Sequence, residues 1–518
     1  MTKGYRFNCR SFCSGKGTDA TVFAFWNIKL QWLGLVEVDF FVVTHGADVD
    51  PVCQAILLVH MHPLSSIWPS VRHVFGDFSL DRFSNFSEIE KLMPDDADPW
   101  ETRYKAYQDI GNMLIREPKR FLPDGTRAWC YRHRSLCPVK DFIGLENDSA
   151  YMYHDGGWAQ RLQRGLDDDG NGSAASALDS SSSSSSAAAA SQHPKAGPEP
   201  EPQSRYFEEL DLLVGGTTCV DHVDYGGRDQ EAGRSMQAFN AFCADAFAHD
   251  PTFVCCEISG LTTISFYARR LGHQWHLIGI QLCPQGMGFG GRRNKLYIWG
   301  THFMKAKHHG SAKMFVKLFR RSQSMSAAGF FVATPAERYE DCKSRAASQG
   351  NYYPQLREGE EPPKIPLGHQ FSPYRLHRLK DFKRAHFGEE HDVVIAVDDE
   401  DQKDDAKPSA AKRACWLVDL EQNEAWTKGG AIAPPLVTHG LMTNLVTEEI
   451  LVPKEHLLLV GEPVVCGACD EAYWGDSPWQ SCISKVVDKL DQTERGKRAS
   501  KRLAGNAQAL PNHCVPIA

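Results

Sequence analysis

The chain has 518 residues, a hydrophobic fraction of 42%, a net charge of −8 and 16 cysteines. This length allows two or three domains with a large core. No apolar run reaches about eighteen residues and the start has no apolar stretch, so we expect neither a membrane span nor a signal peptide. In a protein that is not secreted the cysteines should stay reduced, and their irregular spacing argues against a disulfide framework.

The first predicted element is a strand at residues 7–13 that leads into a Gly-x-Gly turn at residues 15–17. Glycines there let the backbone approach a nucleotide-like ligand, and a following helix would point its positive end at that ligand. A second strand, at residues 38–43, leads to Asp48. An acid in this position suits the ribose hydroxyls of a nucleotide bound to a βαβ unit.

A third short strand, at residues 73–75, ends at Gly76 and Asp77. Three strands in a row therefore end in glycine or in an acidic residue. Glycines and acidic residues at successive strand ends are needed in an open sheet that binds one ligand along its carboxyl edge. The sequence thus predicts an α/β sheet that binds a nucleotide-like ligand.

Residues 81–146 are polar, with helical potential at residues 102–115, and suggest no role. Within them, Cys130, His133 and Cys137 have a Cys-x2-His-x3-Cys spacing that could hold zinc with one further ligand. No fourth ligand is evident nearby in the sequence. We therefore favour ordinary core or surface cysteines and no metal site, and keep zinc as the alternative.

The central motif is a strand at residues 210–214 that breaks into Gly215 and Gly216, followed by Cys219. A loop after such a strand opens at the carboxyl edge of the sheet, where ligands bind. Cys219 is therefore a candidate nucleophile. A buried structural thiol is the alternative, because free cysteines are among the most buried residues.

Two later segments place polar groups near the same edge. The strand at residues 251–259 contains Glu257, a candidate proton donor beside the nucleophile, although such a residue is often merely solvated. A glycine-rich turn then presents Arg292 and Arg293 before a strand at residues 296–299. These arginines suit an anion or a polar base edge, or they face solvent.

In this order the motifs resemble those of the cytosine-C5 DNA methyltransferases that use S-adenosylmethionine. Residues 215–219 (Gly-Gly-Thr-Thr-Cys) resemble the catalytic Gly-Gly-Pro-Pro-Cys loop, and residues 251–257 are similar to the strand that ends in Glu-Asn-Val. Arg293 with Lys295 lies on the Gln-x-Arg-x-Arg motif, and residues 504–507 resemble the final Gly-Asn-Ala. The positions that depart from the family pattern are Cys13, Thr217, Thr218, Val220, Ile258 and Gly291.

The resemblance implies a Rossmann-like class I methyltransferase sheet with helices on both faces and an inserted, smaller target-recognition domain. It implies that Cys219 adds to C6 of the cytosine, that Glu257 contacts N3 and the exocyclic amine, and that Arg293 helps to hold the base. The cofactor is S-adenosylmethionine. The residues that the resemblance assigns to it are Cys13, Ser14, Gly15, Gly17, Asp48, Asp77, Gly215 and Asn506.

The implied domains are a catalytic domain at residues 1–300, a target-recognition domain at 301–430 and a returning segment at 431–518. Residues 167–204 and about 389–412 have the low-complexity and acidic compositions of disordered insertions. Residues 301–390 carry sixteen Lys and Arg against nine Asp and Glu, a local charge of +7. This density suits contacts with phosphates, and a solvated helix face would look similar.

The implied activity is methylation of cytosine C5 in duplex DNA, with the target base flipped out of the helix. One alternative is the same chemistry on RNA. Another is a catalytically weakened relative that binds nucleic acid or cofactor, because the catalytic loop lacks its prolines. A basic stretch at residues 495–502 suits nuclear import or a phosphate contact, so we expect the nucleus, with the cytoplasm as the alternative. We expect no membrane partner, and the oligomeric state is not predicted.

Overall fold

The structure of the protein is a computed structural model. It describes residues 6–12, 18–36, 40–59, 61–62, 65–69, 71–76, 80–139, 159, 162–163, 166, 209–216, 229–259, 262–307, 312–321, 325–357, 359–387, 416–422, 429–437, 440–461, 486–487 and 489–506. Among these residues, no helix is both long and apolar enough to cross a bilayer. The two predicted disordered insertions lie outside the described residues.

The described elements alternate between strands and helices along most of the chain. The strands are β1 (Phe7–Phe12), β2 (Phe41–Ala47), β3 (Met61–His62), β4 (Ser65–Pro69), β5 (Val71–Phe75), β6 (Arg127–Cys130), β7 (Ser135–Pro138), β8 (Leu212–Gly216), β9 (Phe253–Ser259), β10 (Trp275–Leu282), β11 (Lys295–His302), β12 (Leu417–Asp419) and β13 (Met442–Asn444). The α-helices are α1 (Thr18–Trp32), α2 (Pro51–Val59), α3 (Phe86–Glu90), α4 (Trp100–Arg116), α5 (Pro118–Phe121), α6 (Ser235–His249), α7 (Ile264–Leu271), α8 (Ala312–Phe319), α9 (Pro335–Ser348), α10 (Leu367–Gln370), α11 (Pro373–Phe387), α12 (Pro453–Leu459) and α13 (Glu494–Asn506). Short 3₁₀ helices span Leu80–Arg82, Gln230–Ala232, Pro284–Met287 and Ala327–Phe330.

Nine of the strands form one sheet in the order β10-β11-β9-β8-β1-β2-β5-β6-β7. Its five central strands, from β9 to β5, run parallel to one another. Strand β11 is antiparallel to β9 and to β10, and a β6–β7 hairpin extends the other end of the sheet. The order and directions of the strands are those of the predicted Rossmann-like α/β sheet, and the predicted fold class is confirmed.

Helices cover both faces of the sheet, which explains why the central strands read as nearly continuous apolar runs. Strand β8 shows the alternation: Leu213 packs in the core that holds α4 and α6, whereas Leu212 and Val214 pack in the core that holds α1. Successive side chains of a strand point to opposite faces, so one short strand contributes to both cores.

A further core joins segments from the two ends of the chain. Val52 and Ile56 of α2 belong to the same buried cluster as Leu457 of α12 and Leu503 of α13. The helix near the start of the chain is thus covered by the returning C-terminal segment.

The second strand lies further along the chain than we predict from the sequence. The sequence predicts a strand at residues 38–43, where Val and Phe residues are concentrated, whereas β2 is Phe41–Ala47. Thr44 and His45 are buried between the neighbouring strands, and the Thr44 hydroxyl donates to the Cys9 carbonyl at 3.1 Å. Tertiary burial therefore extends the strand through Gly46 and Ala47, which have low strand propensity, and Asp48 follows it directly.

A smaller core lies in the later part of the chain, around helix α11 and the two-stranded β12–β13 sheet. It includes Phe371, Leu379 and Phe382 together with Val418 and Ile450. It therefore combines residues on both sides of the predicted boundary at residue 430. The division of the chain into domains stays a prediction.

Candidate functional site

The sequence predicts a site at the carboxyl edge of the sheet, and the strand order of the sheet reverses between β1 and β8. Successive strands are added in one direction from β1 to β5 and in the other from β8 to β9, so the connection reverses at this point. Ligands of open α/β sheets bind in the crevice at such a reversal. The chain leaves β1 at Phe12 and β8 at Gly216, and the segments that follow lie outside the described residues. They contain five of the predicted site residues, Cys13, Ser14, Gly15, Gly17 and Cys219.

Gly215 has a packing reason to be glycine. It lies opposite Phe12 of β1, and a Cβ atom added to it would lie 2.6 Å from the ring of Phe242 in α6. Any larger residue would push the helix away from the sheet. The contact between Gly215 and the cofactor stays a prediction, because packing alone accounts for the glycine.

Glu257 is buried at the same edge, on strand β9. It lies opposite Gly216 of β8, so it is one strand away from the start of the Cys219 loop. Its side chain is 6% exposed and forms an ion pair with Lys295, with Oε1 and Nζ 2.9 Å apart. A carboxyl group held in this way can accept or donate a proton at the mouth of the crevice.

Lys295 is a residue that the sequence reasoning leaves without a role of its own. It begins β11, opposite Ser259, and its side chain is 15% exposed. Lys295 stands two residues before the buried Tyr297, which pairs with Glu257. Alternate residues of a strand share a face, so Lys295 and Glu257 are diagonal neighbours.

Arg293 precedes β11 in a half-buried turn. The turn is tied to the later part of the chain, since the amides of Arg292 and Ala433 bond to the carbonyls of Ala433 and Gly290 at 3.0 and 2.7 Å. Arg293 stands two residues before Lys295 of the Glu257–Lys295 pair. Its contact with a base stays a prediction.

Asp48 is half-buried at the carboxyl end of β2. Its Oδ1 accepts a hydrogen bond from the Asp50 amide at 2.8 Å, and its carbonyl accepts one from the Gln54 side chain at 2.6 Å. Asp50 in turn caps α2 by accepting from the Val52 amide at 2.8 Å. Asp48 is therefore fixed at the strand end, and its contact with a ribose stays a prediction. Asp77, which follows β5, lies outside the described residues.

Cysteines within the strands near this edge are poor nucleophiles. Burial raises the pKa of Cys9, Cys255 and Cys256 well above the ordinary value of 9.0. A thiol reacts as its thiolate, so these three side chains stay inert at neutral pH.

The predicted final motif lies on helix α13. Asn506 is its last residue, and the side chain of Asn506 lies outside the described part of the chain. Two residues of the basic stretch form ion pairs within the fold: Arg502 with Asp50 at 3.3 Å, and Lys497 with Asp341 at 3.7 Å. At least part of this basic stretch therefore serves packing.

In the basic region at residues 301–390, some cations also form ion pairs within the fold, whereas others are exposed. Arg375 pairs with Glu421 at 2.6 Å and Lys383 pairs with Glu448. Phe371 and Phe382 are core residues, whereas Tyr374 is exposed on α11, together with Lys380 and Arg384. One face of α11 thus presents an aromatic ring and two cations to solvent.

A second group of chemically active side chains lies at the far end of the sheet. The structure brings the three residues of the Cys-x2-His-x3-Cys pattern together with one histidine from β5; we call these four the hairpin cluster: His73, Cys130, His133 and Cys137. The fourth side chain, His73, comes from a strand far earlier in the chain, so it is not among the residues near this pattern in the sequence. Burial alone would raise the pKa of Cys130, but hydrogen bonds with Cys137, His133 and His73 hold it well below 9.0.

No protein-family model and no curated protein matches the chain. Three solved structures that it is similar to are methyltransferases. The alignment with Dnmt2 methyltransferase of S. pombe has 12% identity and a TM-score of 0.29, and covers 60% of this chain and 77% of that one. The alignment with EhMeth of Entamoeba histolytica has 9% identity and a TM-score of 0.27, and covers 60% of this chain and 75% of that one. The third is a prophage-encoded E. coli protein assigned as a DNA modification methyltransferase. Its alignment has 12% identity and a TM-score of 0.20, and covers 25% of this chain and only 36% of that one.

Proposed function

We propose that the protein transfers a methyl group from S-adenosylmethionine to C5 of cytosine in DNA. The observation that carries the proposal is the strand order: the sheet reverses between β1 and β8, and these two strands lead to the predicted glycine turn and to Cys219. Glu257 lies one strand further along the same edge. In the proposed arrangement the glycine turn, the Cys219 thiol and the Glu257 carboxyl group act in a single crevice at this edge.

The described residues fit the cofactor. Asp48 presents a fixed carboxylate at the carboxyl end of β2, suited to the ribose hydroxyls. When bound, S-adenosylmethionine supplies an electrophilic methyl group on a sulfonium. We assign to its binding the residues that the resemblance implies, with Asp48 at the ribose hydroxyls and Asp77 at the adenine.

Cytosine C5 is a weak nucleophile, so the protein must activate the ring covalently. In the proposed mechanism the Cys219 thiolate adds to C6, which moves electron density onto C5 and N3. Glu257 stabilises that charge by hydrogen bonding at N3 and the exocyclic amine. After C5 has been methylated, its proton is lost to a base, the C6–S bond breaks and the Cys219 thiolate is released.

Two cations complete the proposed base pocket. Arg293 helps to hold the base and its oxygen at C2. Lys295 acts as a positioning residue, because its ion pair with Glu257 fixes the carboxyl group within the edge of the sheet. The ring face of cytosine is hidden in a duplex, so the base must be flipped out at a cost of about a few kcal/mol.

The choice of DNA also takes support from the later part of the chain. Tyr374, Lys380 and Arg384 are exposed on α11, where they suit contacts with phosphates and sugars. We propose that this helix belongs to the target-recognition domain. A nuclear location would accompany a DNA substrate.

The test is covalent trapping with a duplex oligonucleotide that carries 5-fluorocytosine, in the presence of S-adenosylmethionine. Fluorine cannot leave as the C5 proton does, so a competent enzyme stalls as an adduct that resists denaturing electrophoresis. We expect an adduct with the parent chain and none with Cys219→Ala. Cys342→Ala, which removes a half-buried thiol elsewhere in the fold, serves as the matched control and should still form it.

Other results would overturn the proposal in identifiable ways. An adduct on a 5-fluorocytosine RNA and none on DNA would reassign the substrate. Binding of S-adenosylmethionine without an adduct on either nucleic acid would mean that Thr217 and Thr218, in place of the family's prolines, mark a binding protein without turnover. An adduct that persists in Cys219→Ala would reject the nucleophile.

A further inference from the structure

The hairpin cluster combines residues from three consecutive strands of the sheet. Strands β6 and β7 form a hairpin in which Cys130 pairs with Ser135, and β5 pairs with β6 through Phe75 and Cys130. His73 stands two residues before Phe75 and shares its face of β5. The turn of the hairpin, where Arg134 has a left-handed φ of 50°, carries His133 back toward both cysteines.

The four side chains converge on one point. One ligand atom from each residue lies within 4.8 Å of all the others. Nδ1 of His133 is 3.4 Å from Sγ of Cys130 and 3.3 Å from Sγ of Cys137. Zinc bonds of about 2.3 Å to sulfur and about 2.0 Å to nitrogen place tetrahedral ligands about 3.3–3.8 Å apart, so the two short separations already fit.

The surroundings are those of a closed site. Cys130, Cys137 and His73 are buried, and His133 is half-buried. The His73 ring stacks on that of His45 with centroids 5.0 Å apart, and it meets the His133 ring edge-on at 4.8 Å. These neighbours fix the orientation of the ring before any metal binds, as the groups around metal ligands do.

We propose that the hairpin cluster binds one Zn²⁺ ion as a closed, tetrahedral structural site. Two thiolates and two neutral imidazoles are a ligand set that zinc uses in structural sites, and with four protein ligands no position remains for a substrate. The site is separate from the crevice at β1 and β8 and does not depend on the proposed methyl transfer.

The metal would fix the hairpin turn against two other parts of the fold. Tyr131 packs on Gly76, the residue before Asp77: a Cβ atom added to Gly76 would lie 3.1 Å from the Tyr131 hydroxyl. The buried Arg132 donates from Nη2 to the carbonyl of Leu57, in the last turn of α2, at 3.0 Å. The proposed ion therefore holds a turn that closes the far end of the sheet.

The first test measures the number of zinc ions per chain by inductively coupled plasma mass spectrometry. The sample is the full-length protein, purified without a chelator. With 16 cysteines in the chain, total zinc does not identify a site, so the difference between variants is the readout. We expect Cys130→Ser combined with Cys137→Ser to lose one zinc ion per chain. Cys342→Ser should retain the zinc content of the parent.

A second measurement keeps the proposal testable if the double variant does not fold. The parent is loaded with Co²⁺, whose thiolate charge-transfer absorption scales with the number of sulfur ligands. His73→Cys retains four ligands and should raise this absorption by about half, for three thiolates in place of two. Equal zinc in the parent and the double variant, no charge-transfer band, or a Cys130–Cys137 disulfide in the mass of the peptides would each overturn the proposal.

Discussion

The two flanks of the nine-stranded sheet both end in buried polar groups, but they are built differently. On the β9–β11 flank, Glu257 and Lys295 form one ion pair between neighbouring strands. On the β5–β7 flank, the hairpin cluster gathers two thiols and two imidazoles. A charge pair at the carboxyl edge can act on a ligand, whereas four converging soft donors enclose an ion. The first flank suits chemistry, and the second suits stability.

The largest expected effect comes from the first flank. Glu257→Gln keeps the size of the side chain but removes its charge, and we expect methyl transfer to fall about 10²–10⁴-fold, the usual contribution of a positioned acid. Lys295→Gln should cost less, because it acts through Glu257. Initial rates on a cytosine substrate measure both, with thermal unfolding to show that the variants fold. A loss below tenfold for Glu257→Gln would remove this residue from the mechanism.

The centre of the sheet links the two flanks through a buried ion pair. Arg10 of β1 and Asp245 of α6 are 4% and 0% exposed and 3.0 Å apart, and Arg10 also donates to the carbonyl of Val139, just beyond β7. Asp245→Asn leaves the guanidinium uncompensated, so we expect the free energy of unfolding to fall by about 3–5 kcal/mol. Denaturant unfolding measures it. The exposed Arg234–Asp96 pair is the control, and Asp96→Asn should cost less than about 1 kcal/mol.

The Arg10–Asp245 ion pair also predicts that the stability of the protein falls at acidic pH. Burial alone would raise the pKa of Asp245, but attraction to Arg10 and His249 holds it below 3.8. A depressed carboxyl pKa contributes stability above its unfolded value, and that contribution is lost as the pH falls through the folded value. The parent should therefore lose stability below about pH 4 more steeply than Asp245→Asn does. Parallel curves for the two proteins would contradict this assignment.

A substitution far from both flanks, at Asp491, is expected to raise the stability of the protein, in contrast to the substitution at Asp245. Burial, followed by the nearby Asp341, raises the pKa of Asp491 from 3.8 to about 7, although Lys454 and Lys497 oppose the shift. A raised pKa contributes stability that is complete below about pH 4 and is lost as the pH rises to about 7. Asp491→Asn should therefore stabilise the chain at pH 8 by about 2–4 kcal/mol and have little effect at pH 4. Equal melting temperatures at pH 8 would reject the raised pKa.

The smallest expected effect tests the packing beneath the crevice. Gly215→Ala would place a Cβ atom 2.6 Å from the Phe242 ring, so we expect a loss of about 1–3 kcal/mol from overpacking. Gly286→Ala, where a Cβ atom would meet nothing within 4 Å, is the matched control and should be nearly neutral. If both variants unfold at the same denaturant concentration, Phe242 moves aside and the glycine has another purpose.

Sequence alone could predict the first flank much better than the second. Glycines and acids at strand ends mark the carboxyl edge locally, so the sequence predicts that Asp48 follows the second strand and that Glu257 lies on a later one, as the structure has them. Lys295 was left without a role because its partner is set by the antiparallel register of β9 and β11. His73 was missed for the same reason, since only the pairing of β5 with β6 brings it to Cys130. Contacts between distant strands carry no local signal.

The core shared by the two ends of the chain has a consequence for synthesis. Val52 and Ile56 leave the ribosome about 400 residues before Leu457 and Leu503 of the same cluster. Until then α2 exposes an apolar face, and closing so long a loop is slow. The sheet cannot acquire this cover before α13 has been synthesised, so the nascent chain is exposed to aggregation until that helix docks. Truncations that remove α13 should therefore reduce the yield of folded protein even where they spare every residue of the crevice.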